Sequence, residues 1–568
     1  MLKNLIDAAI CRNKCDVVLK NANVVNVYGG DIIACDIGIV GDRIVGLGKY
    51  NGKTEYDLKG KFVLPGLIDA HVHIESSQLC PESFASLVVP HGTTTVIADP
   101  HEIVNVCGID GLKYINEAAK NTPLEVKLML PSCVPATPFE TSGAVLDGRL
   151  TAQYMQDNDV FGLGEFMNYP AVMAGDSDAI KKLESAKKLN KVCDGHAPAL
   201  TGNGLNAYLC GGIRTDHECI GGEEIKEKIA RGMYVMLRHG SSARNLEENC
   251  KFVNAGNARR FLMCTDDRHA CDLKDKGHID DALRTAVANG VDPVTAVTIA
   301  TLNAAECYLL KDLGAVAPNY IADLCVCDDL KDFKVSMVFK SGKLVAENGK
   351  PLFEVSPKVP DKMLNTVRIG KVTAESFKLS LKGSKAKVIT MTGGSLITGC
   401  SFEEVESLDN DVILKDGLLK LAVLERHGKN GNIGLGLLKD FGFKGGAIGI
   451  TVSHDSHNLI IAGDDNAAMA KLAEALQKCG GGLAIAKKGE AVEFVPLEIG
   501  GLMTSADPEK FIKDSEKLYE LAFSMGVKRE FDAFLSLAFL SLAVIPHLKL
   551  LDTGLFDVDE FKFTDINA

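Results

Sequence analysis

Two histidines separated by one residue follow an apolar run near the start of the chain. His71 and His73 come after residues 62–70, which the residue pattern predicts to form one buried strand. Because residues two apart on a strand point to the same side, both imidazoles are expected to face one metal ion. Such a pair is common by chance, but its position at the carboxyl end of a buried strand is where barrel enzymes place catalytic groups.

Further acids and imidazoles occupy the same kind of position at the ends of later apolar runs. They are Glu165, His196, His217 and the adjacent acids Asp266 and Asp267. Each alone is more often a structural polar group. Together they favour Zn²⁺, Mn²⁺ or Fe²⁺ in a catalytic site, because the donors are imidazoles and carboxylates without a thiolate. Four histidines and two carboxylates exceed the needs of one catalytic ion, and they would accommodate two ions that share the Glu165 carboxylate.

A second group of polar residues near predicted strand ends is a candidate for binding substrate or orienting the ligands. His101 and Glu102 stand first in this group, and solvated loop positions explain its members about as well. The other members are Asp99, Arg238, His239 and Arg268.

Two histidine pairs outside this region carry less information. His454 and His457 follow a strand-like run, and they are either part of the same pocket or part of a hydrogen-bonded turn. His427 and His547 are expected to lie in helical or loop contexts without carboxylate partners, and we interpret them as structural.

The elements that must position these residues alternate regularly over residues 61–322. Short apolar runs that end in polar residues alternate with longer helical patterns, about eight times in roughly 250 residues, which predicts a (β/α)8 TIM barrel in the α/β class. An open doubly wound sheet is the alternative interpretation.

β-rich runs flank this region on both sides. Residues 1–60 and 323–355 are predicted to form one small composite β-sandwich domain into which the barrel is inserted. A proline-rich linker at residues 351–360 then leads to a C-terminal α/β or α+β domain over residues 361–568.

Composition narrows the environment and the partners. A formal charge of −13, without a basic cluster that contains aromatics, argues against nucleic acid. The 17 scattered cysteines favour a reducing cytoplasm, and we interpret Cys325 and Cys327 as core residues. The N-terminus lacks a signal-peptide pattern, and no apolar run reaches the roughly 20 residues of a membrane span, so no membrane association is expected.

The motif at residues 65–73, together with the later histidines and aspartate, resembles the amidohydrolase superfamily over roughly residues 16–350. Residues 301–306 and 322–324 are similar to its closing segments. A narrower resemblance, to the bacterial adenine deaminase family, covers nearly the whole chain and includes the C-terminal extension with residues 453–458. It is carried by residues 73–77, 98–103, 164–170, 194–198 and 264–268.

This resemblance implies hydrolytic deamination of adenine to hypoxanthine and ammonia by a metal-activated hydroxide, as in purine salvage. It implies two divalent ions, Mn²⁺ or Fe²⁺, with Zn²⁺ as a further option. Matching the motifs gives six metal-site candidates: His71, His73, Glu165, His196, His217 and Asp266.

Roles for individual residues follow as hypotheses from the same resemblance. Asp266 would move a proton from water to the departing amine, and it is preferred to Asp267 because it comes first after the strand. Glu165 would either bridge the ions or protonate N1 of the base. The substrate-binding candidates are His101, Glu102, Arg238 and Asp267. A homo-oligomer, a dimer or higher, is expected.

Two other functions compete with this one. An amidohydrolase that opens a cyclic amide, similar to dihydroorotase or hydantoinase, usually bridges its metals with a carbamylated lysine where this chain has Glu165. A metal-free assembly protein would have no reason to retain all six candidate ligands.

Overall fold

The N-terminal part of the chain is a short helix followed by strands. The computed structural model describes residues 2–241, 243–393 and 397–567. Helix α1 spans Leu2–Ala9. The first five strands are β1 (Cys15–Asn26), β2 (Asp31–Val40), β3 (Arg43–Gly48), β4 (Gly52–Asp57) and β5 (Phe62–Pro65).

Eight parallel strands then form the central barrel. They are β6 (Leu67–Val72), β7 (Thr93–Ala98), β8 (Glu125–Leu130), β9 (Val160–Phe166), β10 (Cys193–Gly195), β11 (Thr215–Asp216), β12 (Tyr234–Arg238) and β13 (Phe261–Cys264). Strands β6 to β10 pair in chain order, and so do β11 to β13. Backbone hydrogen bonds join the two arcs: Arg214 N donates to Cys193 O at 3.1 Å and Asp266 N donates to His71 O at 3.0 Å. The predicted (β/α)8 barrel is confirmed.

Helices surround this barrel. They are α2 (Pro81–Val88), α3 (His101–Cys107), α4 (Ile109–Ala119), α5 (Gly148–Tyr154), α6 (Tyr169–Ala174), α7 (Ser177–Lys188), α8 (Gly202–Cys210), α9 (Gly222–Ala230), α10 (Leu246–Asn249), α11 (Ala270–Asp275), α12 (Ile279–Ala288), α13 (Pro293–Ile299) and α14 (Leu302–Cys307). Helix α7 shows how the local sequence determines a helix and its buried face. The Asp176 side chain caps its first turn, and Ala179, Leu183 and Ala186 are buried at helical spacing.

Strands from both sides of the barrel sequence share one nine-stranded sheet. The later strands are β14 (Leu324–Cys327), β15 (Val335–Lys340), β16 (Lys343–Glu347) and β17 (Lys350–Pro351). Strand β5 joins the two groups, because it pairs with β1 in parallel and with β14 in antiparallel orientation. Cys325 and Cys327 are buried here, as expected of core residues. The division of the chain at residues 60 and 323 stays a prediction.

The prediction of a single strand over residues 62–70 is wrong. The run forms two strands in different sheets, β5 in the nine-stranded sheet and β6 in the barrel. Pro65 has no N–H to donate to a ladder, and Gly66 N instead donates to Asp323 O at 2.8 Å. The chain changes sheets at these two residues, so that β5 ties the barrel to the flanking sheet.

The C-terminal part contains its own large sheet. Its strands are β18 (Lys385–Thr390), β19 (Gly399–Glu404), β20 (Ser407–Leu408), β21 (Asp411–Val412), β22 (Leu419–Leu424), β23 (Ile433–Lys439), β24 (Gly446–Ile450), β25 (Leu459–Gly463), β26 (Gly482–Lys487), β27 (Val492–Pro496), β28 (Leu548–Leu551), β29 (Gly554–Asp557) and β30 (Lys562–Phe563). Eight of them pair in the order β19-β18-β23-β22-β25-β24-β26-β27. The helices are α15 (Asn466–Cys479), α16 (Pro508–Ser524) and α17 (Leu535–Ala538).

This C-terminal part is hydrogen-bonded to loops of the barrel. Lys429 Nζ donates to Ser142 O at 2.6 Å, and Asn458 Nδ2 donates to Thr141 O at 2.9 Å. Thr504 N donates to Gln78 O at 2.9 Å. In the described residues, no helix combines the length and the hydropathy that crossing a bilayer requires.

Candidate active site

Two histidines and an aspartate meet where the first and last barrel strands come together. His71 lies near the carboxyl end of β6. The Asp266 carboxylate is 3.4 Å from its Nε2 and 3.3 Å from His73 Nε2. The two histidine Nε2 atoms are 3.2 Å apart. Backbone hydrogen bonds fix this arrangement, since Asp266 N donates to His71 O and His73 N donates to Asp266 O at 3.2 Å.

Glu165 connects this group to the other two predicted histidines. Its Oε1 lies 3.3 Å from His73 Nε2, and its Oε2 lies 3.0 Å from His196 Nδ1 and 3.4 Å from His217 Nε2. The two oxygens of one carboxylate therefore face different histidines. The six side chains that the sequence suggested as metal ligands therefore come together, with the other five grouped around Glu165.

The tautomer of His73 shows that these donors fit a cation. His73 Nδ1 lies 2.7 Å from the carbonyl oxygen of Asp99, and a carbonyl can only accept, so Nδ1 carries the proton. The Nε2 of a neutral His73 is then a lone pair that faces the carboxylates of Glu165 and Asp266. Acceptors directed at one another repel unless a proton or a metal ion lies between them. A hydrogen bond from the other ring nitrogen to a backbone carbonyl is usual for metal-binding histidines.

Buried acids below the site hold the strand ends in place. Asp69 accepts hydrogen bonds from the backbone N–H of His71 and of Thr265, at 3.2 and 3.1 Å. Asp99 accepts one from Glu165 N at 2.8 Å. Burial, together with the charge of Glu165, raises the pKa of Asp99 to about 8. These acids position the backbone that carries the candidate ligands.

The predicted substrate-binding residues lie next to the six side chains. His101 Nδ1 is 3.4 Å from Glu165 Oε1, so His101 contacts the same carboxylate as His73. Burial and the charge of His73 lower the pKa of His101 to about 4. Glu102 and Asp267 both contact one hydroxyl, with Ser76 Oγ at 2.7 Å from Glu102 Oε1 and 2.5 Å from Asp267 Oδ1.

Arg238 pairs with two carboxylates of the protein and is not free to bind a substrate. Its guanidinium pairs with both oxygens of Glu218, and its Nη1 also donates to Asp266 Oδ2 at 3.1 Å. His239 and Arg268 lie apart from this group and share the carboxylate of Asp281, at 2.9 and 2.6 Å.

Sequence reasoning missed Glu218 as a site residue. Its Oε1 lies 3.4 Å from His217 Nε2 and 3.8 Å from His196 Nδ1. Arg238 beside it holds the pKa of this carboxyl well below its ordinary value, although burial acts in the opposite direction. The available signal was an acid that directly follows a candidate ligand, His217, at the end of a barrel strand.

The C-terminal part reaches the site through residues 453–458. Asp455 Oδ1 lies 3.9 Å from His101 Nε2, and His457 Nε2 lies 3.8 Å from Glu102 Oε2. His427 and His547 stay outside. His427 Nε2 lies 2.8 Å from Ser456 O. The expectation that His547 has no carboxylate partner is wrong, because its Nδ1 pairs with the exposed Asp559, 12 residues further along the chain.

Two family models match the chain. Residues 62–345 match the amidohydrolase family, and residues 395–562 match the adenine deaminase C-terminal domain. An adenine deaminase of Clostridium acetobutylicum is 47% identical over 99% of each chain. One from Nitratidesulfovibrio vulgaris is 45% identical over 100% of this chain and 99% of its own, and one from Geobacillus kaustophilus is 43% identical over the same shares.

Proposed function

The chain belongs to the adenine deaminase family within the amidohydrolases, and we propose that it hydrolyses adenine to hypoxanthine and ammonia. Several relatives that carry this name match over nearly the full length of both chains. The observation that carries the proposal is the convergence of four imidazoles and the Asp266 carboxylate around Glu165 at the carboxyl ends of the barrel strands.

The amidohydrolase family is metal-dependent, and we infer two divalent ions, Mn²⁺ or Fe²⁺, as the cofactor here. His71, His73 and Asp266 would hold one ion, and His196 and His217 would hold the other. Divalent ions in such a site lower the pKa of a coordinated water from about 15.7 towards about 7, and so supply a nucleophile at neutral pH.

Glu165 is proposed as the carboxylate that both ions share. Sequence reasoning left open whether it would instead protonate N1 of the base. Its two oxygens face His73 on one side and His196 and His217 on the other. A carboxylate with both oxygens engaged in this way is a ligand and a poor proton donor, which favours the bridging role.

Asp266 is the proposed proton carrier. Replacing the amine at C6 requires a proton to leave the attacking water and another to reach the departing nitrogen, because ammonia leaves poorly from a tetrahedral carbon unless it is protonated. Asp266 Oδ1 faces the histidines, and Oδ2 accepts a hydrogen bond from Arg238. Arg238 is therefore proposed to position Asp266 and keep it ionised, ready to accept a proton, rather than to contact the base.

His101, Glu102 and Asp267 remain the proposed lining of the base pocket. In support, His101 contacts Glu165, and Glu102 and Asp267, which each follow a site residue in the chain, share the hydroxyl of Ser76. The opening of a cyclic amide is not favoured, because the fourth barrel strand, β9, carries Glu165 and the full-length relatives are named adenine deaminases.

The test is an assay of ammonia release from adenine, adenosine, guanine and cytosine, with a hydantoin as the cyclic-amide control. Protein from cells grown with Mn²⁺ should contain about two ions per chain and convert adenine to hypoxanthine. Protein that carries this metal and releases no ammonia from adenine would refute the function. Hydantoin opening without deamination would establish the alternative.

A further inference from the structure

The segment of residues 453–458 brings the C-terminal part against the proposed base pocket. It lies between β24 and β25, and Asn458 anchors it to the barrel through Thr141 O. His457 and Asp455 then lie 3.8 and 3.9 Å from Glu102 and His101. Two chain regions more than 300 residues apart in the sequence therefore lie together on one side of the proposed base pocket.

The two histidines of this segment are held very differently. His457 is built into the segment, because its Nδ1 accepts a hydrogen bond from Ser453 N at 3.2 Å and its carbonyl accepts one from Arg426 Nε. His454 is 5% exposed and lies flat against Phe539, with ring centroids 4.6 Å apart and an interplanar angle of 14°. Its nearest acid is Asp455, with Oδ1 3.7 Å from Nδ1.

The ring nitrogens of His454 have one ion-pair contact within the described ranges, from Nδ1 to Asp455 Oδ1, and its 3.7 Å exceeds hydrogen-bond distance. Buried polar side chains are nearly always satisfied by a partner, so unpaired ones call for a bound water, ion or ligand. The acids around it also lack donors. Glu102 Oε2 and Asp455 Oδ2 are buried and accept no hydrogen bond from described residues. Ser76 has one hydroxyl proton for the two acids Glu102 and Asp267.

A free purine base matches this set of unsatisfied groups. Its ring nitrogens accept hydrogen bonds, as an imidazole N–H requires. Its five-membered ring carries an N–H, and its amine carries two more, as the carboxylates require. A nucleoside has lost the N–H at N9 and carries a sugar there, so it would leave a buried carboxylate unpaired.

We propose that His454 and Asp455 are substrate-binding residues, through which the C-terminal part completes the adenine pocket. His454 donates to a ring nitrogen of the base, while Asp455 and Glu102 accept from its N–H groups. This inference rests on the proposed function, and it adds the reason for preferring the free base to the nucleoside.

The first experiment compares His454→Ala and His454→Gln with the unmodified enzyme. Loss of one hydrogen bond and of the packed ring should raise the KM for adenine about tenfold or more in His454→Ala, while kcat changes much less. Glutamine retains an N–H donor and should recover part of this loss. His547→Ala is the matched control, because His547 is an exposed histidine of the same part of the chain.

A second readout separates binding from turnover. Calorimetric titration with hypoxanthine should show the same weakening in His454→Ala, and metal analysis should show unchanged content. If His454→Ala fails to fold, the decision falls to His454→Gln, in which a side chain without the stacking ring should still weaken binding. Wild-type KM and hypoxanthine affinity in the folded variants would overturn the inference.

The role of Asp455 is tested with 9-methyladenine, a base that lacks the N–H at N9. The kcat/KM of wild-type enzyme should be much higher for adenine than for 9-methyladenine, whose N9 carries a methyl group in place of the proton. Asp455→Asn should reduce the ratio of these two kcat/KM values, mainly through a higher KM for adenine. An unchanged ratio would refute the role of Asp455. Absence of adenine turnover in the wild type would instead refute the proposed function, and titration with adenine would still report whether His454 contributes to binding.

Discussion

Single carboxylates in this site have two oxygens with different surroundings. Glu165 directs one oxygen to His73 and the other to His196 and His217. Asp266 directs one oxygen to the histidines and the other to Arg238. Each acid therefore links two groups of side chains, and its replacement by an amide changes the charge without removing much volume.

Asp266→Asn should lower kcat for adenine by at least about a hundredfold, the usual scale for the loss of an acid–base group. Arg238 keeps its pairing with Glu218, so the fold should survive. Steady-state kinetics measures the loss, and thermal unfolding followed by circular dichroism checks the fold. Asp559→Asn, which alters an exposed acid, is the control. Nearly normal turnover in Asp266→Asn would show that another group carries the proton.

Among the barrel elements, β9 must carry a glycine next to Glu165. A Cβ at Gly164 would lie 2.1 Å from Asp99 Oδ2, closer than any non-bonded contact. That Asp99 oxygen accepts the hydrogen bond from Glu165 N. The strand is therefore shaped to let Asp99 approach the backbone from which Glu165 projects.

Gly164→Ala should displace Asp99 and shift Glu165, with a loss in kcat of about a hundredfold, as small misplacements of a catalytic constellation produce. Metal content should fall as well, because Glu165 is the shared ligand in the proposed centre. Gly370→Ala is the control, since a Cβ there meets nothing within 4 Å. A Gly164→Ala enzyme with normal kinetics and metal content would contradict this role of the glycine.

Helix α9 is tied to the strand that leads to His217. Lys228 is fully buried, and its Nζ donates to Asp216 Oδ2 at 2.8 Å and to Ala197 O at 2.7 Å. Asp216 and Ala197 adjoin His217 and His196 in the chain. One ammonium group therefore fixes both strand ends that carry these two histidines.

Lys228→Met should lower the free energy of unfolding by about 3–5 kcal/mol, because the charge of Asp216 stays buried without its partner. Urea unfolding measures the change. Lys226→Met on the same helix removes only an exposed pair with Glu223 and should have no measurable effect. Equal stability of the two variants would contradict the role given to Lys228.

At the scale of the whole molecule, metal binding and folding should be linked. A ligand that binds only the folded chain stabilises it by RT ln(1 + [L]/Kd), about 2.7 kcal/mol at a free concentration 100 times Kd. Removal of metal by a chelator should therefore lower the melting temperature and abolish deamination, and added Mn²⁺ should restore both. The chelator and Mn²⁺ should leave a His71→Ala, His73→Ala double variant unchanged. Identical melting of metal-free and metal-loaded wild type would contradict a metal centre built from these residues.

Partners and location outside the site stay predictions. All 17 cysteines are free thiols, and the reducing environment that their scattered positions suggested stays a prediction. The expected homo-oligomer is checked by sedimentation velocity, and the cytoplasmic location by fractionation of the source cells.

The sequence by itself determined the repeated strand–helix pattern and the placement of His71, His73, Glu165, His196, His217 and Asp266 at strand ends. Both are local properties, because a strand's burial and its polar end are encoded in adjacent residues. The barrel then brings these ends together, since parallel strands in a closed sheet all finish at one face.

The tertiary structure alone decided how the strands are divided between sheets and which further residues contact these six side chains. The change of sheets at Pro65 and Gly66 depends on a hydrogen bond to Asp323, and the pairing of Arg238 with Glu218 and Asp266 depends on neighbouring strands. The approach of residues 453–458 depends on contacts across more than 300 residues of chain. Such contacts leave no periodic pattern in the sequence, because they follow from how separately folded parts of the chain pack against one another.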